Sequence, residues 1–325
     1  MDLQQRTRRF GTGVILCAIF FRLYLAGVPQ AVAHRLIQIP SDPLPIYLET
    51  GRNVRFSASL EPVFDHVRES PAPWIPEENK PVFSAADAEL VEVTYQCSLR
   101  PDFGELMEKP LTWDLKEEVP TVLILHTHTT ESYTQSEERY IPSSSYRTLE
   151  ENHNMLCIGD AVADILRRNG IGVLHDRQVN DYPSYNGSYT RARETVGEYL
   201  QQYPSIQLVL DLHRDASDNG GSQLKTLAQV DGETAAQLML VVGTNYDAWQ
   251  ENLALAAKLH AQLEQKNPGI MRPISLRSQR FNQDLSPGAL LIEVGAAGNT
   301  RSEAMRAAEE LAEAICVLSD GTNRQ

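Results

Sequence analysis

The stretch Thr121-Val-Leu-Ile-Leu-His-Thr-His-Thr-Thr-Glu-Ser-Tyr133 decides how this chain folds. Its first five residues form a short, unbroken apolar run, as expected of a strand covered on both faces. Polar chemistry starts at once with His126, His128 and Glu131. The same form recurs downstream. Ile206 to Leu212 runs into Asp211-Leu-His213-Arg214-Asp215, and Ala289 to Val294 carries Glu293 ahead of a glycine-rich turn ending at Asn299-Thr300. Ile171 to Leu174 and Gln237 to Val242 are further apolar strands. Helical spacing fills the intervals over Asn154 to Arg168, Thr190 to Gln202, Asp247 to Gln265 and Ser302 to Leu318. Strands alternating with helices predict an α/β domain with a mostly parallel sheet flanked by helices.

Open α/β sheets bind ligands beyond the carboxyl ends of their strands. The predicted fold therefore gathers His126, His128, Glu131, His213 and Glu293 at one edge. Singly, each has an ordinary explanation: a hydrogen-bonded structural histidine, a helix-start glutamate, a loop anchor. Asp211 reads as a turn cap that Arg214 neutralises, and His175 as structural. Together, imidazoles plus a carboxylate with an open position match a catalytic zinc site, and another carboxylate nearby is placed to act as general base. A Gly-x-Gly-x-x-Gly loop and a Walker lysine loop are absent, so nucleotide binding lacks support.

Composition narrows the classes. The 325 residues hold 29 Lys and Arg against 43 Asp and Glu, a formal charge of −14. Nucleic-acid binding rests on phosphate neutralisation, so that balance argues against it. Four scattered cysteines without a C-x-x-C pair exclude a thiolate zinc cluster and a disulfide-dense module.

Ahead of the α/β region, Arg6 to Val28 joins a basic flank to an apolar run, read as a membrane anchor with the bulk of the chain outside the cytoplasm. Ala31-Val32-Ala33 offers the competing reading, a cleaved signal peptide. The predicted organisation is an anchor or signal segment over 1–33, a Pro-rich juxtamembrane spacer over 34–116 and a catalytic domain over 117–325. Within the spacer, Leu90 to Leu99 alternates as a strand does.

The segments His126 to Tyr133, Tyr182-Pro-Ser-Tyr-Asn-Gly-Ser-Tyr189, Asp211 to Asp215 and Ile292 to Thr300 closely resemble, in order, the stage II sporulation protein P family. The resemblance covers about residues 117–320 and extends to the amino-terminal anchor. It implies a zinc-dependent peptidoglycan hydrolase with the fold of the zinc exopeptidases. Amidase activity on the N-acetylmuramoyl-L-alanine bond is implied, and endopeptidase activity on stem peptides as well. The implied setting is engulfment during endospore formation, on the cell membrane in the space between mother cell and forespore. The implied partners are peptidoglycan and stage II sporulation proteins D and M.

Carried over by the resemblance, His128 and His213 look like zinc ligands and Glu293 like the catalytic glutamate. For the carboxylate ligand, Glu150 is favoured over Glu151. Glu131 competes, because His128-x-x-Glu131 has the spacing of zinc carboxypeptidases; otherwise it is an outer residue orienting an imidazole. Arg214 is expected beside the oxyanion, and the Tyr182, Tyr185 and Tyr189 loop, with Asn186 at its tip, as a substrate wall. Two other classes stay open: a zinc peptidase cutting only peptide bonds, and a non-catalytic peptidoglycan-binding scaffold.

Overall fold

The computed structural model describes residues 82–111, 113–115, 119–134, 146–216 and 223–321. The expected anchor at Arg6 to Val28 lies outside them. Among the described residues no helix is long and apolar enough to cross a membrane.

Nine strands are present among the described residues: β1 Val93–Gln96, β2 Val122–Leu125, β3 Val173–His175, β4 Leu208–Asp215, β5 Leu227–Val230, β6 Glu233–Ala236, β7 Leu238–Gly243, β8 Ile274–Arg277 and β9 Ala289–Ala296. Seven form one sheet in the order β1-β8-β7-β9-β4-β2-β3, and β5 and β6 form a separate hairpin. The pairings β1·β8, β8·β7, β9·β4, β4·β2 and β2·β3 are parallel, whereas β7·β9 is antiparallel. The sheet therefore consists of two parallel blocks running in opposite directions. The carboxyl ends of β2, β4 and β9 share one edge, and that of β7 lies at the other.

Both faces of the sheet are covered, which explains the unbroken apolar runs. Every residue of β2 and β4 is buried. The two-residue period of a strand divides them: Val122 and Ile124 join the core that contains α2 (Met155–Arg168), α4 (Trp249–Lys266) and α5 (Arg301–Gly321), whereas Leu123, Leu125 and Val209 pack with Ala192 and Val196 of α3 (Ser188–Gln202). Helix α2 starts where Asn154 accepts from the Leu156 N–H at 2.9 Å. It ends at Asn169, with Gly170 following at φ +79. Helix α5 starts with a reciprocal cap: Glu303 N–H donates to Thr300 Oγ1, and Thr300 N–H donates to the Glu303 carboxylate.

The strand expected within Leu90 to Leu99 is present as β1. The sheet reaches into the segment read as a spacer, because β1 pairs along β8 and the short helix α1 (Phe103–Glu108) buries Leu106 and Met107. Lys258 of α4 donates to the Leu106 carbonyl at 2.7 Å. Prolines capture attention in the sequence there, but the elements between them are part of the core.

Candidate active site

Strand register brings the predicted residues together. His213 of β4 is the direct cross-strand partner of Glu293 on β9, and Leu125 of β2 pairs with Asp211. Alternation places Asp211, His213 and Glu293 on the face that α3 covers, and Arg214 on the other.

The loop after β2 folds back over this edge. Thr127 fastens it to Asp211, its N–H donating to Oδ1 at 2.8 Å and its hydroxyl to Oδ2 at 2.6 Å. Glu131 is 2% exposed. Its Oε2 lies 3.5 Å from His213 Nδ1 and accepts from the Arg214 N–H at 3.2 Å. Its Oε1 meets the guanidinia of Arg147 at 3.3 Å and Arg214 at 3.5 Å. Burial alone raises a carboxyl pKa, but Arg214 and then His213 overcome it and hold Glu131 at about 2. On the other side of His213, Nε2 lies 2.9 Å from Asp211 Oδ1 without the alignment of a hydrogen bond. Burial opposes a charge on His213, yet Asp211 and Glu131 together raise it well above the ordinary value. Two buried carboxylates around one imidazole call for a positive charge.

His128 is buried, and its ring stands perpendicular to that of His213 with centroids 5.2 Å apart. Burial lowers its pKa to about 4. Its Nε2 meets the Tyr185 hydroxyl at 3.1 Å, while its Nδ1 has no partner. Glu293 keeps a shielded, unpartnered Oε2. Burial first, with Glu131 and Asp215 adding to it, raises the Glu293 pKa to about 8 against the pull of His213.

His126 does not join this group. It faces away from it, Nδ1 bonding the Leu212 carbonyl at 3.0 Å and Nε2 meeting His175 Nε2 at 2.9 Å, and His175 in turn meets Asp160 at 2.9 Å. Both rings press on Gly159 of α2, where an added Cβ would stand 2.4 Å from His175 Nε2 and 2.7 Å from His126 Nε2. The pair braces the strand ends from behind.

Three expectations change. Arg214, which the sequence places beside the oxyanion, is 3% exposed, and its donors are used on the Ser132 carbonyl at 3.1 Å, the Tyr146 carbonyl at 2.9 Å and Glu131. It holds Glu131 in place. Glu150, the favoured carboxylate, is exposed and lies 4.0 Å from His153, whereas Glu131 sits among the histidines. Asn186 is exposed at its loop tip, where its carbonyl accepts from Arg191 at 3.2 Å. Two tyrosines of the expected loop do reach the site: Tyr185 stacks on His128 at 4.6 Å, and Tyr189 stands edge-on to it at 5.6 Å.

Two contributors escaped the sequence reading. Asp181 is buried and accepts from the Thr130 N–H at 3.0 Å and hydroxyl at 2.6 Å. Arg147 bridges Asp181 and Glu131. Arg147 lies on no periodic element, so its only signal was the surplus of acids that the fold must balance.

Among the described residues, no three His, Cys, Asp or Glu side chains stand ready-made as a metal-ligand group. The donor chemistry nevertheless fits a cation. His128 Nδ1 and Glu293 Oε2 are buried polar atoms without hydrogen-bond partners, a costly condition in a native structure, and His213 stands between the Asp211 and Glu131 carboxylates.

Comparison with known proteins agrees with the segments read above. The family model for stage II sporulation protein P matches residues 72–316. Stage II sporulation protein P of Bacillus subtilis (strain 168) is 29% identical over 203 residues, which are 59% of this chain and 49% of that protein. The chain thus matches about half the length of that relative. Among solved structures, an N-acetylmuramoyl-L-alanine amidase from Clostridium difficile 630 aligns with 62% of this chain and 94% of its own, at 18% identity and a TM-score of 0.36. The CwlD amidase from Clostridioides difficile, solved with the GerS lipoprotein, aligns with 61% and 95%, at 13% identity and a TM-score of 0.37.

Proposed function

Because the chain belongs to the stage II sporulation protein P family, we propose that it is a zinc-dependent peptidoglycan hydrolase of sporulation, cutting the amide between N-acetylmuramic acid and L-alanine. The observation that carries this reading is the convergence of His128, Glu131, His213 and Glu293 at one sheet edge, with buried polar atoms left unpartnered. His128, His213 and Glu131 are the proposed ligands, because Glu131 lies beside His213 whereas the Glu150 side chain is exposed. Zinc bound there would act as a Lewis acid, acidifying water and polarising the scissile carbonyl.

The chain's own residues supply the rest. Glu293 takes the proton of the attacking water and returns it to the leaving amine. Its shielded Oε2, which has no hydrogen-bond partner, leaves a carboxylate oxygen free for that proton. Arg214 and Arg147 keep Glu131 ionised and oriented, and Asp211 flanks His213 as an outer carboxylate. Tyr185 and Tyr189 wall the site on the α3 side. Work at the membrane between mother cell and forespore, with stage II sporulation proteins D and M as partners, belongs to the same proposal.

A second reading is cleavage of peptide bonds in the stem peptides. It is favoured by the place of Glu131, since His128-x-x-Glu131 then becomes the metal motif. Digestion of purified peptidoglycan, with and without chelator, separates the two. New L-alanine amino termini are expected. Termini within the stem peptide alone would favour the second reading, and no chelator-sensitive release would defeat both.

A further inference from the structure

An unusual contact in the site joins an exposed side chain to a buried one. Tyr185 is 55% exposed, yet its oxygen lies 3.1 Å from His128 Nε2 and its ring stacks on the imidazole with 19° between the planes. The Arg147 guanidinium lies 4.9 Å over the same ring while holding both Asp181 and Glu131. Asp181 immediately precedes the loop that carries Tyr185. One arginine thus ties the tyrosine wall to the Glu131 carboxylate.

A neutral imidazole has a single N–H to place. On Nε2 it has an acceptor, the Tyr185 oxygen. On Nδ1 it would be a buried donor with no acceptor, because that atom has no partner. Orphaned buried N–H groups are rarer in native structures than under-used acceptors. The Tyr185 O–H can turn to water, which its exposure allows.

We propose that Tyr185, braced by Arg147, is a positioning residue that fixes His128 as the Nε2–H tautomer and leaves Nδ1 as its metal-donor atom. The final clause rests on the zinc reading; the tautomer does not. Outer partners of this kind are worth about 10–100-fold in metal affinity.

The test uses the purified full-length chain with ¹⁵N-labelled histidine, metal-free at pH 7, together with zinc affinity by competition against a chromophoric chelator. Wild type should show the Nε2–H pattern for His128, and added zinc should shift its Nδ1 resonance. Tyr185→Phe keeps the ring but loses the oxygen. It should give mixed tautomers and bind zinc about 10–100-fold more weakly. Arg147→Lys keeps a charge but not the fork that spans two carboxylates, so it should weaken zinc in the same direction. An Nδ1–H pattern in wild type, or a Tyr185→Phe protein with unchanged tautomer and affinity, would overturn the proposal. A wild type that binds no zinc while showing the Nε2–H pattern would defeat the zinc reading and the ligation clause, and would support the tautomer assignment.

Discussion

Glu293 and Glu131 occupy the same site, and their surroundings drive them apart. Glu131 sits against two arginines and is held at about 2, whereas burial among other acids lifts Glu293 to about 8. A pair separated in this way can divide the work, one as a permanent anion and one as a proton carrier. Glu293→Gln should keep the fold and lose about 10²–10⁴-fold in peptidoglycan solubilisation, about 3–5 kcal/mol in the barrier. Near-wild-type digestion would remove Glu293 from the mechanism. The same residue makes a pH prediction for metal-free protein. Its folded pKa is raised above the unfolded value, so its contribution to stability is present below about pH 4.5 and lost as pH rises through about 8. Metal-free wild type should therefore lose stability relative to Glu293→Gln across that window, as read by denaturant melts at each pH. Parallel curves would contradict the assignment.

Elements were legible in the sequence where burial imposed a pattern. Strands β2, β4, β7 and β9 announce themselves as apolar runs because the sheet is covered on both faces. The direction of β7 was not legible, since an apolar run reads the same whichever way the strand is laid. Strand β8 is four residues long and carries too little pattern. The β5–β6 hairpin did leave a signal: Asp231-Gly232, both at positive φ, is a hairpin turn pair. Of the site, the strand-end histidines and Glu293 were visible because strand ends are predictable. The places of Arg147, Asp181 and Glu131 depend on how loops fold over the edge, which no periodicity reports. Gly159 shows the same dependence. Alanine normally favours a helix interior by roughly 1 kcal/mol over glycine, but here its Cβ would strike both bracing histidines. Gly159→Ala should instead destabilise by about 1–3 kcal/mol in denaturant unfolding. A stabilised variant would mean that the histidine brace yields easily.

For the whole molecule, the sheet edge that carries the chemistry depends on parts far from it in sequence. Strand β1 and helix α1 close the far side, and α1 buries Leu106 and Met107. Burying side chains of this size contributes about 1.5–3 kcal/mol each. A chain starting at residue 117 should therefore be several kcal/mol less stable than one starting at residue 82, measured by chemical denaturation. Equal midpoints would restore residues 82–116 to the role of a spacer.

The most direct test of the central claim is zinc stoichiometry, by elemental analysis of purified wild type, Glu131→Gln, Glu150→Gln and Glu293→Gln. If His128, Glu131 and His213 form the ligand set and Glu293 stands beside it, wild type, Glu150→Gln and Glu293→Gln should each carry about one zinc per chain, and Glu131→Gln should lose most of it. Full zinc in Glu131→Gln with loss in Glu150→Gln, or loss in Glu293→Gln, would contradict the account.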